Sequence, residues 1–168
     1  FLDNTDRNRT SPFAFTGNRF EFRAVGSSAN CSSAMIVLNA AVARQLKAFA
    51  VEVNAIIDRG GKRDEAIFQV LKNCIIDSKR IRFDGDGYSA EWHKEAIRRG
   101  LSDEPSVPKT LKTYENSSSR ETLVGTGVLT ARELESRVEV ELEKFTKKLQ
   151  IEARVLGDLA INHIVPTA

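Results

Sequence analysis

The chain has 168 residues, of which 41% are hydrophobic and 29% are charged, so its composition is typical of a globular protein and excludes the collagen-like and disordered classes. The 25 Lys and Arg residues nearly balance the 23 Asp and Glu residues, and a formal net charge of +2 gives no general argument for a nucleic-acid or membrane partner. Two cysteines, Cys31 and Cys74, do not make a disulfide framework, so we expect free, buried thiols in a reducing, cytoplasmic compartment.

The N-terminal part of the chain combines a loop with one short strand. Residues 1–17 are rich in turn formers, and we predict a loop there with no partner strand nearby. Residues 18–25 alternate strictly between charged and apolar side chains, which predicts a half-buried β-strand. One face of this strand carries Arg19, Glu21 and Arg23, and the other carries Phe20, Phe22 and Ala24.

Three helices are predicted after this strand. Apolar residues at steps of three and four indicate a helix from about residue 33 to 58, and a glycine pair ends it. A second helix is expected over about 63–80. Ser89 can cap a third helix that runs to about residue 99. No apolar run approaches the roughly 20 residues that a membrane span needs.

The last third of the chain contains the clearest helix signal. Within residues 101–129 we predict a short helix near two prolines, and we expect the polar stretch 116–119 to be mobile. Thr130 with Glu133 forms a capping box, and an apolar stripe follows it to about residue 160. A helix of this length exceeds what so small a chain can cover alone, so we expect one side to pack on another helix, another domain or another subunit.

The charged face of the strand carries the strongest candidates in the sequence for binding a metal ion or a phosphate group. Side chains two apart on a strand lie on one face, roughly 6.5–7 Å apart. Glu21 between Arg19 and Arg23 stays ionised, because neighbouring positive charge stabilises a carboxylate. Such a carboxylate is a hard ligand for Mg²⁺ or Mn²⁺, and flanking arginines suit phosphate oxygens. The alternative is a solvated face with ordinary cross-strand ion pairs.

Three spaced motifs near the N-terminus resemble the end of the catalytic domain of a glutamine synthetase, of the long type III form. They are Asn8-Arg9-Thr10, the strand Arg19-Phe20-Glu21-Phe22-Arg23 and the turn Ser27-Ser28-Ala29-Asn30. The stretches 79–92 and 151–168 resemble the helical C-terminal region of the same form. The resemblance implies a mainly α fold, a helical bundle preceded by a short strand segment, with residues 1–30 as the catalytic-domain edge and 31–168 as a helical domain.

The resemblance also implies an activity and roles for four residues. The family joins glutamate and ammonia to form glutamine, using ATP and Mg²⁺ or Mn²⁺, through γ-glutamyl phosphate. By position, Glu21 would be a metal ligand and Arg19 would face the nucleotide, while Arg9 and Arg23 would hold substrate and phosphoryl oxygens. The commoner types carry a further arginine after the first motif, and residues 10–15 supply none. Stacked homo-oligomeric rings are implied for the full-length protein.

Several parts of such a site are absent from this sequence, so we expect the isolated chain to be inactive. The family needs more carboxylates and a metal-binding histidine, whereas His93 and His163 fall on predicted helices and are expected to be structural or solvated. The alternative hypothesis is an independent, non-enzymatic helical module for interaction or oligomerisation. It requires no chemistry from the charged strand.

Overall fold

The computed structural model describes residues 13–15, 17–24, 26, 28–83, 87 and 89–168. Over these ranges the chain is mainly α, as predicted, with one two-stranded antiparallel sheet near the N-terminus. The chain divides into two compact units, Phe1–Asp103 and Glu104–Ala168. The boundary near residue 30, which the family resemblance implies, stays a prediction.

A β-hairpin forms the described N-terminal part of the first unit. Strand β1 is Phe13–Phe15 and strand β2 is Phe20–Phe22, and they pair in the register Phe13 to Phe22 and Phe15 to Phe20. Gly17 lies in the connection with a φ of 98°, a left-handed value that favours glycine. The prediction of a loop without a partner strand is therefore wrong at Phe13–Phe15, whose alternating Phe-Ala-Phe pattern was the missed signal.

Helices α1 (Ser32–Ile57) and α2 (Arg63–Asp77) pack against each other, close to the predicted ranges. Cys31, which precedes α1, is exposed, so the expectation of a buried thiol is wrong for this residue. The shared core of the two helices is built on Val53, Ala66 and Val70, and half-buried apolar side chains surround it: Phe49, Ile56, Ile57, Ile67 and Cys74. The turn between the helices needs its glycine pair. Gly60 has a φ of 90°, and a Cβ on Gly61 would lie 2.7 Å from a side-chain carbon of Ile56.

The first unit ends with a 3₁₀ turn and a short helix. The turn is Ser78–Ile81, and helix α3 is Ala90–Arg98. The Ser89 hydroxyl accepts a hydrogen bond from the backbone N–H of Trp92 at 3.1 Å, so the predicted N-cap is confirmed. Gly100, with a φ of 81°, ends the helix as expected.

Two short helices open the second unit. Helix α4 is Val107–Lys112, with a proline in its first turn, and helix α5 is Ser117–Leu123. The side-chain oxygen of Asn116 caps α5 by accepting from the N–H of Ser119 at 2.8 Å. Residues 116–119, for which we expect mobility, therefore form the cap and the first turn of α5, because the residues that favour turns also cap and open helices.

The long helix α6, Ala131–Leu159, contains the rest of the core of this unit. Its capping box is present: Thr130 and Glu133 bond reciprocally, and these bonds hold the pKa of Glu133 below its ordinary value. Leu134 and Val138, in its first third, are buried, as is Leu123 of α5. A π-helical turn, Ala160–Ile164, and the short helix α7, Val165–Thr167, continue from it.

Burial along α6 fades toward its C-terminal end. Leu134 is 1% exposed, whereas Leu156 of the same predicted stripe is 65% exposed. Large apolar side chains stay exposed over the last two turns of α6 and beyond: Val155, Leu156, Leu159, Ile161, Ile164 and Val165. Among the described residues, the first part of the stripe is buried and its last part is exposed.

Helix α1 is also largely open to solvent, and by length and composition alone it could cross a membrane. An 18-residue window in it has a mean hydropathy of 1.4, although polar residues such as Asn39, Arg44 and Lys47 divide the helix into short apolar runs. Core helices of soluble proteins and signal sequences pass the same test. One such helix is therefore weak evidence, and the absence of a membrane partner stays a prediction.

The contrast along α6 predicts unequal effects of two identical substitutions. Leu134→Ala should lower the free energy of unfolding by about 2–5 kcal/mol, because the side chain is buried and a cavity would remain. Leu156→Ala should change it by less than about 0.5 kcal/mol in the 168-residue chain. Urea unfolding of both variants measures the difference. Equal losses would mean that the end of α6 is packed within the chain.

Candidate functional site

The charged face of the hairpin brings together the three predicted strand residues. Nη2 of Arg23 donates to Oε2 of Glu21 at 3.0 Å. Nη2 of Arg19 lies 3.6 Å from Oε1 of the same carboxylate. One carboxylate is thus placed between two guanidinium groups, as the alternation on the strand predicted.

Solvent reaches the three side chains unequally. The side chains of Glu21 and Arg23 are 31% and 28% exposed, whereas that of Arg19 is 73% exposed. Arg23 and Glu21 therefore form a partly covered, well-aligned ion pair, and Arg19 extends into solvent. The carboxylate oxygens of this face can bind a cation, and its guanidinium groups can bind an anion through paired N–H donors.

The hairpin itself fixes where this face points. Antiparallel pairing places Glu21 opposite Ala14 in the register of the two strands. The rings of Phe13 and Phe20 stack with centroids 4.7 Å apart and support the same strand pair. Phe20 is still 53% exposed, so the apolar side of the hairpin is not fully covered by the described part of this chain.

The donor set fits one ligand of a divalent metal and not a complete site. Mg²⁺ takes about six oxygen ligands, and Glu21 is one hard oxygen donor. Among the residues that the structure describes, no group of three or more His, Cys, Asp and Glu side chains could hold a metal ion. Any such metal would need further ligands from other segments. Arg9 lies outside the described residues, so its predicted role has no geometry here.

The two histidines lie elsewhere. Nδ1 of His93 on α3 is 3.0 Å from both carboxylate oxygens of Asp103. His163 is exposed in the π-helical turn. Both were expected to be structural or solvated. Within the first unit, the described hydrogen bonds and ion pairs of His93 do not include the charged face of the hairpin.

A second charged constellation, which the sequence analysis missed, surrounds Glu95 on α3. Arg98 donates to both carboxylate oxygens at 2.7 Å, and Arg99 also donates to Oε1. Hydrogen bonds from Arg98 and then from Arg99 lower the pKa of Glu95 to about 2, well below its ordinary value. The signal in the sequence was the spacing of three and four residues between Glu95 and the two arginines.

Arg99 also joins α3 to the preceding 3₁₀ turn. Its Nη1 donates to the carbonyl oxygen of Arg82 at 2.6 Å. Its guanidinium carbon lies 5.6 Å and 5.8 Å from the ring centroids of Phe83 and Trp92, which stack on each other at 3.9 Å. Glu95 therefore orients Arg99, which connects α3 to the end of the preceding 3₁₀ turn.

Comparison with known proteins decides the family. The model of the glutamine synthetase C-terminal domain matches residues 66–168, more than half of the chain. The chain belongs to the glutamine synthetase family. The resemblance that the N-terminal motifs and the two helical stretches suggested is thus confirmed.

Curated relatives extend the match over nearly all of the chain. It is 61% identical to a glutamine synthetase of Bacteroides fragilis over 99% of its length. It is 42% identical to a type-3 glutamine synthetase of Dictyostelium discoideum over 98%, and 35% identical to a glutamine synthetase of Butyrivibrio fibrisolvens over 94%. The chain spans only 22–23% of the length of these relatives.

The two kinds of match cover the two charged constellations differently. The family domain at residues 66–168 includes Glu95 and its arginines and leaves out the hairpin. The pairwise match to the Bacteroides glutamine synthetase covers 167 residues and therefore reaches the hairpin as well. The hairpin face and the Glu95 cluster are thus both parts of a chain that is similar to glutamine synthetases along nearly its whole length.

The lowered pKa of Glu95 predicts how the stability of the first unit depends on pH. A carboxyl group whose folded pKa is depressed stabilises the fold above its unfolded pKa, and this contribution is lost as pH falls through the folded pKa. The loss should therefore occur between about pH 4.5 and about pH 2. Thermal melting of the wild-type chain and of Glu95→Gln over this range measures it.

In that comparison, the stability difference between the two proteins should be largest near neutral pH and should shrink as the pH falls to 2. Glu91→Gln is the matched control, since Glu91 is exposed on the same helix. A difference that is constant over the whole range would show that the ion pairs of Glu95 contribute nothing through its charge.

Proposed function

We propose that this chain is the C-terminal part of an ATP-dependent glutamate–ammonia ligase that forms glutamine through γ-glutamyl phosphate. The observation that carries the proposal is the 61% identity to a protein named glutamine synthetase over 99% of the chain. The resemblance to type III is supported by the relative named as type-3. A cytoplasmic location is part of the proposal.

The residues of the hairpin face have distinct parts in the proposed reaction. Glu21 is proposed to bind one divalent metal ion, Mg²⁺ or Mn²⁺, through its carboxylate. Arg23 and Arg9 are proposed to hold the substrate and the oxygens of the transferring phosphoryl group, and Arg19 to contact the nucleotide. When bound, the metal would neutralise charge that develops on phosphate oxygens, which is the main need of phosphoryl transfer.

The geometry of the hairpin supports this division of roles. The 3.0 Å bond from Arg23 fixes the orientation of the Glu21 carboxylate, and the pair is about one-third exposed, so a ligand can reach it. Arg19, with a longer 3.6 Å contact to Glu21 and 73% exposure, presents its guanidinium group to solvent, where a nucleotide can reach it. A preorganised ion pair beside an exposed cation suits a site that binds a charged substrate.

The isolated chain is proposed to be inactive. A divalent metal needs several ligands, and the described residues offer no cluster of three metal-binding side chains. The relatives are more than four times as long as the matched region. The remaining parts of the site are proposed to come from the rest of the full-length protein.

The full-length protein is proposed to be a homo-oligomer of stacked rings. The exposed apolar side chains at the end of α6 and in α7 support an interface or a covering domain, because such stripes normally pack. The same stripe also favours the alternative hypothesis, a non-enzymatic helical module that only associates. Activity separates the two hypotheses, since a pure module gives no catalytic role to the hairpin.

The test is Glu21→Gln in the full-length protein. This change keeps the shape of the side chain and removes its charge, so the metal concentration needed for half-maximal activity should rise by at least about tenfold. ATP-dependent glutamine formation, measured across Mg²⁺ and Mn²⁺ titrations, gives this value. The oligomeric state, measured by light scattering, should not change.

Glu152→Gln is the matched control, because Glu152 is a well-exposed acid on α6. It should leave the metal requirement at the wild-type value. A normal metal requirement in Glu21→Gln would remove Glu21 from the metal site. The complete absence of glutamine formation in the wild-type full-length protein would instead support the associating module.

A further inference from the structure

In the first unit, the described residues that line a surface cavity of about 780 Å³ are all basic. They come from the 3₁₀ turn and its end and from the C-terminal end of α3: Lys79, Arg80, Arg82, Arg98 and Arg99. A cavity of this size is within the usual range of small-molecule sites, about 300–1,000 Å³. The proposed reaction uses none of these residues.

The charges around the cavity are not balanced by the described acids. Glu95 is the only acidic partner that the described ion pairs give to the five basic groups, and it is shared by Arg98 and Arg99. Among the described ion pairs and hydrogen bonds, the side chains of Lys79, Arg80 and Arg82 have no acidic partner, and all three are exposed. Like charges that lie close together on one surface repel each other, and a bound anion reduces this repulsion.

Contacts of the Arg99 side chain, and not of the Lys79, Arg80 or Arg82 side chains, hold the basic cluster in place. Arg99 bonds to the carbonyl oxygen of Arg82, and its stacking on Phe83 and Trp92 fixes the turn against α3. Arg99 donates to the backbone carbonyl oxygens of Arg80 and Arg82, so these two hydrogen bonds leave the side chains of Arg80 and Arg82 available to bind an anion. The turn therefore presents three cations from a fixed backbone.

We propose that this cavity binds a small anion with two or more linked phosphate groups. Among the described groups at the cavity, five cations against one carboxylate leave four positive charges, and a single phosphate carries about two negative charges at neutral pH. Two or more phosphates are thus needed for balance. Four of the five cations are arginines, whose planar forks bind phosphate oxygens in pairs. The proposal does not depend on the proposed reaction.

The test is calorimetric titration of the 168-residue chain with inorganic pyrophosphate, with inorganic phosphate as the single-group comparison. Pyrophosphate should bind at one site per chain and more tightly than phosphate, and added salt should weaken the binding. ATP forms a second arm. Equal affinity for ATP and pyrophosphate assigns recognition to the phosphates alone, and higher affinity for ATP assigns the natural ligand to the nucleotides.

The deciding variant is Arg80→Gln with Arg82→Gln. Neither side chain makes a described hydrogen bond or ion pair, so the double substitution removes two charges and no described contact. It should weaken pyrophosphate binding by about tenfold to a hundredfold. Lys47→Gln with Lys72→Gln is the control, since it removes the same charge from exposed positions on α1 and α2. Circular dichroism melting of both double variants checks that each chain folds.

Two results would overturn the proposal. The first is equal loss of affinity in the two double variants, which would mean that pyrophosphate responds only to the overall charge of the chain. The second is no measurable pyrophosphate binding to a folded wild-type chain at low salt, which would make the cavity an ordinary solvated surface.

Discussion

Packing of apolar side chains between neighbouring helices is the interaction on which the long helices of this chain depend. Capping and helix-dipole terms contribute only about 0.3–1 kcal/mol each, which does not hold a helix of 29 residues in water. Where a partner helix is present, as around Val53, Ala66 and Val70, the apolar face is buried. At the end of α6, the same kind of face is exposed among the residues that the structure describes. The chain spans under a quarter of the length of its relatives.

Two charged constellations are built differently in this framework. The hairpin face rests on two three-residue strands, so its orientation depends on few hydrogen bonds. The Glu95 cluster instead spans successive turns of one helix, and Arg99 bonds it to the backbone of the preceding turn. A partly covered ion pair on a small hairpin is suited to a site completed by other segments. A cluster fixed by helix spacing is suited to a surface that the chain forms alone.

Much of the helical framework could be predicted from the sequence, because it follows from local rules. The apolar spacing gave α1, α2 and α6 within a few residues, and the caps at Ser89 and Thr130 are as expected. The partner strand at Phe13–Phe15 was missed, since three residues are too few for an alternating pattern to distinguish a strand from a loop. Helix α5 was missed because the residues that cap and open it are equally common in turns.

The candidate site was predictable only in part, for a physical reason. Alternation along a strand places Arg19, Glu21 and Arg23 on one face, and this can be read from the sequence. The cavity of basic residues could not be read in this way, because it needs the contact between the turn at 78–81 and α3 that Arg99 makes. Contacts between distant elements follow from tertiary packing and have no local period.

The most direct measurement is an anomalous diffraction map of the full-length protein crystallised with ATP and Mn²⁺. The account predicts a manganese peak within about 2.0–2.3 Å of a carboxylate oxygen of Glu21, with its other ligands supplied by segments outside this chain. A manganese site far from the hairpin, with Glu21 bonded only to Arg19 and Arg23, would contradict the assignment of this face to the proposed active site.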